Sequence, residues 1–139
     1  MENILMTFFW ICVISANVLA NSLPLSDSKI PLMRKHVKCP SNSTFYAPTN
    51  IKVILCMTTA LDCCLKELDG KIRKECDDPH EYVDDAVEYL NVTIDEWKDS
   101  HPLTNSSQCA CKRWPKTHLS HFLDKMESLL QLLNNEASF

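Results

Sequence analysis

Apolar side chains recur three and four residues apart in four stretches of this chain, the spacing of an amphipathic helix rather than the alternation of a strand. Ile30, Met33 and Val37 predict a first helix over 29–38, with Ser28 as N-cap and Pro31 tolerable in the first turn. Ile54, Thr58, Leu61, Leu65, Leu68 and Ile72 predict a second from 51 to 69 or a few residues beyond, with Gly70 as its end or a weak point. A third is expected over 80–98: Val83, Val87, Leu90, Ile94 and Trp97 form its stripe after the start signal "DDP", and Glu81, Asp84, Glu88 and Asp95 lie opposite. The fourth, over 117–134 behind Thr117, carries Leu119, Phe122, Leu123, Met126, Leu129, Leu130 and Leu133 on one face. Gly70 is the only glycine, and no Asn-Gly or Asp-Gly pair joins alternating strands, which argues against an all-β fold.

Four such helices bury their stripes by packing on one another, so the expected fold is an all-α four-helix bundle. The connection over 39–51 can stretch roughly 40 Å, whereas a helix of about 18 residues is only about 27 Å long. The connection over 100–116 is longer still, and the one between the second and third helices is shorter. Two long crossings around one shorter turn favour an up-up-down-down arrangement over a meander.

The segment "TALDCCLKEL" places Cys63 and Cys64 side by side in the second helix. At about 100° per residue, with Leu61 at the centre of the stripe, Cys64 falls on the buried arc and Cys63 nearly opposite, with Cys56 about 10 Å further along the same side. In an extended "CAC" segment, Cys109 and Cys111 point one way about 6 to 7 Å apart. Two bridges can therefore tie Cys56 and Cys63 to Cys109 and Cys111, with Cys64 an inert core thiol. Cys39 and Cys76, just past two helix ends, make a third bridge, although spacing by itself leaves connectivity open.

Residues 4–16, "ILMTFFWICVISA", have the length of a signal-peptide apolar region, and "VLA" at 18–20 offers a cleavage site, so residues 1–20 are read as a leader and 21–139 as one domain. Cys12 leaves with the leader, and the seven remaining cysteines suit an oxidising compartment. Asn42, Asn91 and Asn105 head "NST", "NVT" and "NSS", three glycan acceptors that agree with export. Without its leader the chain holds 14 Lys and Arg against 17 Asp and Glu, a balance that gives no reason to expect nucleic acid. The charges are segregated: Glu75 to Asp99 holds ten acids and only Lys98 as base, whereas Lys29, Arg34, Lys35 and Lys38 crowd the first helix. Lys112, Arg113 and Lys116 form a basic approach to the fourth helix, a solvated face or a heparin contact.

In "FYAP", in the six residues from Cys56 to "CCLKEL", in the cysteine pair before the fourth helix and in "HFLDKMESLLQLLN", the chain from Phe45 onward resembles the interleukin-2 and interleukin-15 branch of the short-chain four-helix cytokines. The resemblance implies a secreted ligand without catalytic chemistry or cofactor, monomeric before it draws receptor chains together to signal lymphocyte growth or activation. It implies that Gln131 meets the common gamma chain, that Asp27, Asp85 and Tyr89 meet the shared beta chain, and that Tyr46 and Glu67 belong to an alpha-chain surface. Tyr89 stands where interleukin-15 has asparagine, and Lys112 and Arg113 replace acids of interleukin-15.

Two other classes compete. A small helical lipid carrier of the plant lipid-transfer kind shares CC and CXC, but here Cys76 intervenes and no cysteine follows Cys111. An enzyme would rest on His118 and His121 with Asp124 one turn on, a spacing that can share a metal, yet no HExxH or Cys and His signature accompanies them.

Overall fold

A computed structural model describes residues 25–49 and 54–137. The expected leader and the first residues of the expected second helix lie outside the described residues. The fold is mostly helical and carries three disulfides. Four main helices account for it: α1 (Ile30–His36), α2 (Met57–Glu67), α3 (Tyr82–Trp97) and α4 (Leu119–Ala137). Helix α1 packs on α3 and α4, and α2 packs on the same two from the other side. Phe45, Leu61, Leu68, Ile72, Leu90, Phe122, Leu123 and Met126, all fully buried, fill the space between them.

The first helix is shorter than its apolar pattern predicts, for local reasons at both ends. A 3-10 turn, Leu25–Ser28, precedes it, and Lys29 takes a left-handed conformation (φ 64°) that swings the chain into α1. The cap position thus falls to Lys29, while Ser28 Oγ accepts the Ile30 N–H at 3.4 Å. Pro31 lies in the first turn, where its missing N–H costs no helical hydrogen bond. At the other end Lys38 leaves the helix to exchange backbone hydrogen bonds with Asp77, at 3.0 and 2.7 Å. The Cys39–Cys76 disulfide follows directly, with Cα atoms 4.2 Å apart. On its flank, Arg34 reaches Asp124 at 2.5 Å and Glu127 at 3.6 Å, holding α1 to α4.

The second helical segment does not stop at Gly70. A 3-10 turn, Ile54–Cys56, leads into α2, and beyond Glu67 the chain continues through a π-helical turn, Leu68–Ile72, to a last turn, Arg73–Glu75. The wider π turn keeps Leu68 and Ile72, both fully buried, on the inward side. Helix α3 begins at Tyr82, later than "DDP" suggests, because Asp78 serves as its cap from a distance. The two carboxylate oxygens of Asp78 accept the N–H groups of Tyr82 (3.1 Å) and Val83 (2.8 Å). Its buried face is Val83, Ala86, Tyr89, Leu90, Thr93 and Ile94, rotated from the expected stripe so that Val87 and Trp97 are only half buried.

Helix α4 starts at Leu119 because Thr117, the expected cap, belongs to a strand. Phe45–Tyr46 (β1) pairs antiparallel with Lys116–Thr117 (β2), Phe45 opposite Thr117 and Tyr46 opposite Lys116. This ribbon packs on α2 and α4. Strands of two residues have no periodicity to read, which is why an all-α pattern conceals them.

Cys56 is bonded to Cys109 and Cys63 to Cys111, with Cα separations of 5.1 and 5.5 Å. The "CAC" segment is not one extended run: Cys109 ends the 3-10 turn Ser107–Cys109, Ala110 is extended, and Cys111 begins the turn Cys111–Arg113. Nor is the side of α2 bearing Cys63 a solvent face. The bridged segment covers it, leaving Cys56 6 % and Cys63 3 % exposed.

Gly70 has no positive φ, and a Cβ built there meets nothing within 4 Å. Gly70→Ala is therefore expected to raise stability by about 0.5–1 kcal/mol through the unfolded chain's lost freedom, read as a higher urea midpoint at unchanged slope.

Candidate functional site

The residues singled out from sequence fall into three places. Asp27 from the first 3-10 turn and Asp85 and Tyr89 from α3 line a single open groove of about 400 Å³, together with Lys29, Glu88 and Val92. Two segments more than fifty residues apart in sequence build it, because the Leu25–Ser28 turn packs on α3. Asp85, Tyr89 and Val92 share a flank of α3, being three and four residues apart. Asp27, Asp85 and Glu88 are exposed, and Val92 is 39 % exposed, so the groove offers acidic edges around an apolar step. Tyr89 itself is 5 % exposed, a wall of the groove rather than a free surface side chain. Burial, then the negative charges of Asp27 and Glu96, push its phenol above the ordinary range, and a hydrogen bond with Thr93 opposes them.

Tyr46 and Glu67 meet in a second place, through the backbone: Glu67 Oε2 accepts the Tyr46 N–H at 2.9 Å. One turn on, Lys71 Nζ donates to Thr44 O at 2.5 Å and lies 5.5 Å from the Phe45 ring centre. One turn further, Glu75 Oε1 accepts the Ser43 hydroxyl at 2.5 Å. Glu67, Lys71 and Glu75 thus form a polar row that grips residues 43–46, and sequence reasoning missed its structural role. The signal was present as Glu, Lys and Glu spaced by four, and only the location of residues 43–46 was missing. Lys116 Nζ stands 5.0 Å from the Tyr46 ring centre, and Lys112 and Arg113 are exposed on the turn after Cys111.

Gln131 forms the third place, exposed on α4 beside Leu132, which is 37 % exposed. Asn42, Asn91 and Asn105 are all exposed. Of the His118, His121 and Asp124 set, His118 Nδ1 lies 3.2 Å from Ser43 O and Asp124 pairs with Arg34. Among the described residues no three His, Cys, Asp or Glu side chains are grouped to hold a metal ion.

Cys64 is a free, fully buried thiol, and desolvation first, then the nearby Glu67 charge, push it up from 9.0 to about 12. The fold thus favours the neutral thiol: this contribution is whole below about pH 9 and is lost as pH rises toward 12. Iodoacetamide at pH 8 is expected to leave Cys64 unmodified in the native protein and to alkylate it after unfolding, as read by peptide mass; rapid native labelling would contradict its placement. For Tyr89, Asp27→Asn is expected to lower the pH at which the phenol ionises, seen as an earlier phenolate absorbance rise on alkaline titration. An unshifted curve would show that Asp27 does not face the ring.

No family model, curated protein or solved structure matches the chain.

Proposed function

We propose that the chain is a secreted, glycosylated cytokine that assembles class I receptor chains, the common gamma chain among them, and so signals lymphocyte growth or activation. The observation that carries this reading is the groove in which Asp27, Asp85 and Tyr89, assigned to one receptor surface by resemblance alone, are neighbours in space. Tyr46 and Glu67, assigned to a different surface, are likewise in contact with each other and belong to a separate part of the molecule. Gln131 occupies a third surface, exposed on α4 beside the partly exposed Leu132.

The short-chain up-up-down-down topology belongs to the same proposal. Its support is that α1 and α2 each pack on α3 and α4, which sets α1 diagonal to α2 and α3 diagonal to α4 while α2 and α3 lie side by side. Long crossings suit such diagonals, whereas a meander sets consecutive helices side by side. Export is supported by three disulfides, and no helix among the described residues is long and apolar enough to cross a membrane.

Binding of the purified protein to isolated receptor ectodomains tests the proposal. Gln131→Asp is expected to leave the circular dichroism spectrum and unfolding midpoint unchanged while weakening gamma-chain binding by about tenfold or more. Asp85→Lys should weaken beta-chain binding and spare the gamma chain. Binding to neither chain by the parent protein would refute this reading, and lipid recovered from it in stoichiometric amount would favour the carrier.

A further inference from the structure

We propose that Asn91 is a folding-gated glycosylation site: its sugar is attached before α3 forms and afterwards overhangs the groove between the Leu25–Ser28 turn and α3. The acceptor triplet Asn91, Val92 and Thr93 lies wholly within α3. Transfer of an N-glycan needs the threonine hydroxyl and the asparagine carboxamide presented together to the transferase. In a helix, residues two apart point about 200° from one another, so the fold separates the two groups. Asn91 faces solvent, whereas Thr93 is 7 % exposed and its hydroxyl donates to Tyr89 O at 2.9 Å. The folded triplet is therefore unreadable, although its asparagine is in plain view.

Attachment is consequently confined to the unfolded or nascent chain. The Asn91 amide nitrogen displaces the lipid diphosphate of an activated oligosaccharide: the new N–C bond replaces the C–O bond to diphosphate, and the amide proton is released. No redox step or further reactant is required. Once α3 closes, Asn91 stands one helical turn from Glu88 and next to Val92, both lining the groove. A bulky, hydrated glycan at that rim restricts access to Lys29, Asp85 and Glu88 without touching the core. The biological use of this shield rests on reading the groove as a receptor surface; the gating and the shielding do not.

Both are testable without a receptor. Unglycosylated chain, refolded with its disulfides, is compared with reduced and alkylated chain as substrate for oligosaccharyltransferase and a dolichol-linked oligosaccharide, with site occupancy read by mass spectrometry. Asn105, in a loop where both it and Ser107 are exposed, is the internal control. Modification of Asn91 is expected to rise by about tenfold or more in the unfolded chain, while Asn105 changes little. Equal modification of Asn91 in native and unfolded chain, or none in either while Asn105 is modified, overturns the gating. The second readout is acylation of Lys29 by a bulky ester in secreted parent protein and in Asn91→Gln. Removal of the sugar is expected to raise Lys29 labelling roughly threefold or more, leaving Lys112 unchanged. Equal Lys29 labelling overturns the shield. Failure to bind receptor chains would refute only the function proposed above.

Discussion

Two disulfides to the segment around Ala110, one from α2 and one from the 3-10 turn that leads into it, are the constraint on which the rest of the molecule depends. A helix of a small bundle ordinarily buries one face and solvates the other, but here the bridges lay a loop across the second face. Bridges closing loops of about 50 residues contribute roughly 2–4 kcal/mol each. In a chain this small that is a large share of net stability. They also set where the last connection runs. With Cys111 anchored, the chain reaches Lys116 and Thr117 beside residues 45–46, and the ribbon forms there.

The ribbon is held from below by the same helix. Glu67, Lys71 and Glu75 satisfy one backbone donor, one backbone acceptor and one hydroxyl of residues 43–46, and Phe45 is fully buried above them. One long helical segment therefore organises both connections, one covalently and the other by charge-assisted hydrogen bonds. This gives Glu67 a structural task that any receptor role must share. Its replacement breaks a partly buried contact, so a binding defect there has two sources.

The acidic run from Glu75 to Asp99 resolves into separate duties. Asp78 caps α3; Asp84 pairs with Arg73 at 2.6 Å and Asp95 with Lys98 at 2.7 Å. Those pairs are exposed and contribute little energy. Asp85 and Glu88 turn instead toward the groove, where Asp27 adds a third acid beside Lys29. The carboxylates of one segment thus divide among a cap, surface pairs and an acidic groove.

Helical periodicity was legible because burial of a stripe imposes it residue by residue: α4 and its apolar face are readable from Leu119 to Leu133 without any partner in view. The opposed directions of Cys63 and Cys64 follow from the same turn angle. What no local pattern contains is which segment lies across an element. That is why Cys63 reads as outward and is buried, why Thr117 reads as a cap and is a strand, and why α1 ends early at the Asp77 bridge. The candidate groove belongs to the same class: Asp27 and Asp85 carry no sign of each other in sequence, and only the packing of the Leu25–Ser28 turn on α3 makes them neighbours. Periodicity is a property of one helix and its solvent, whereas sites and caps depend on contacts between distant segments, which the chain acquires only on folding.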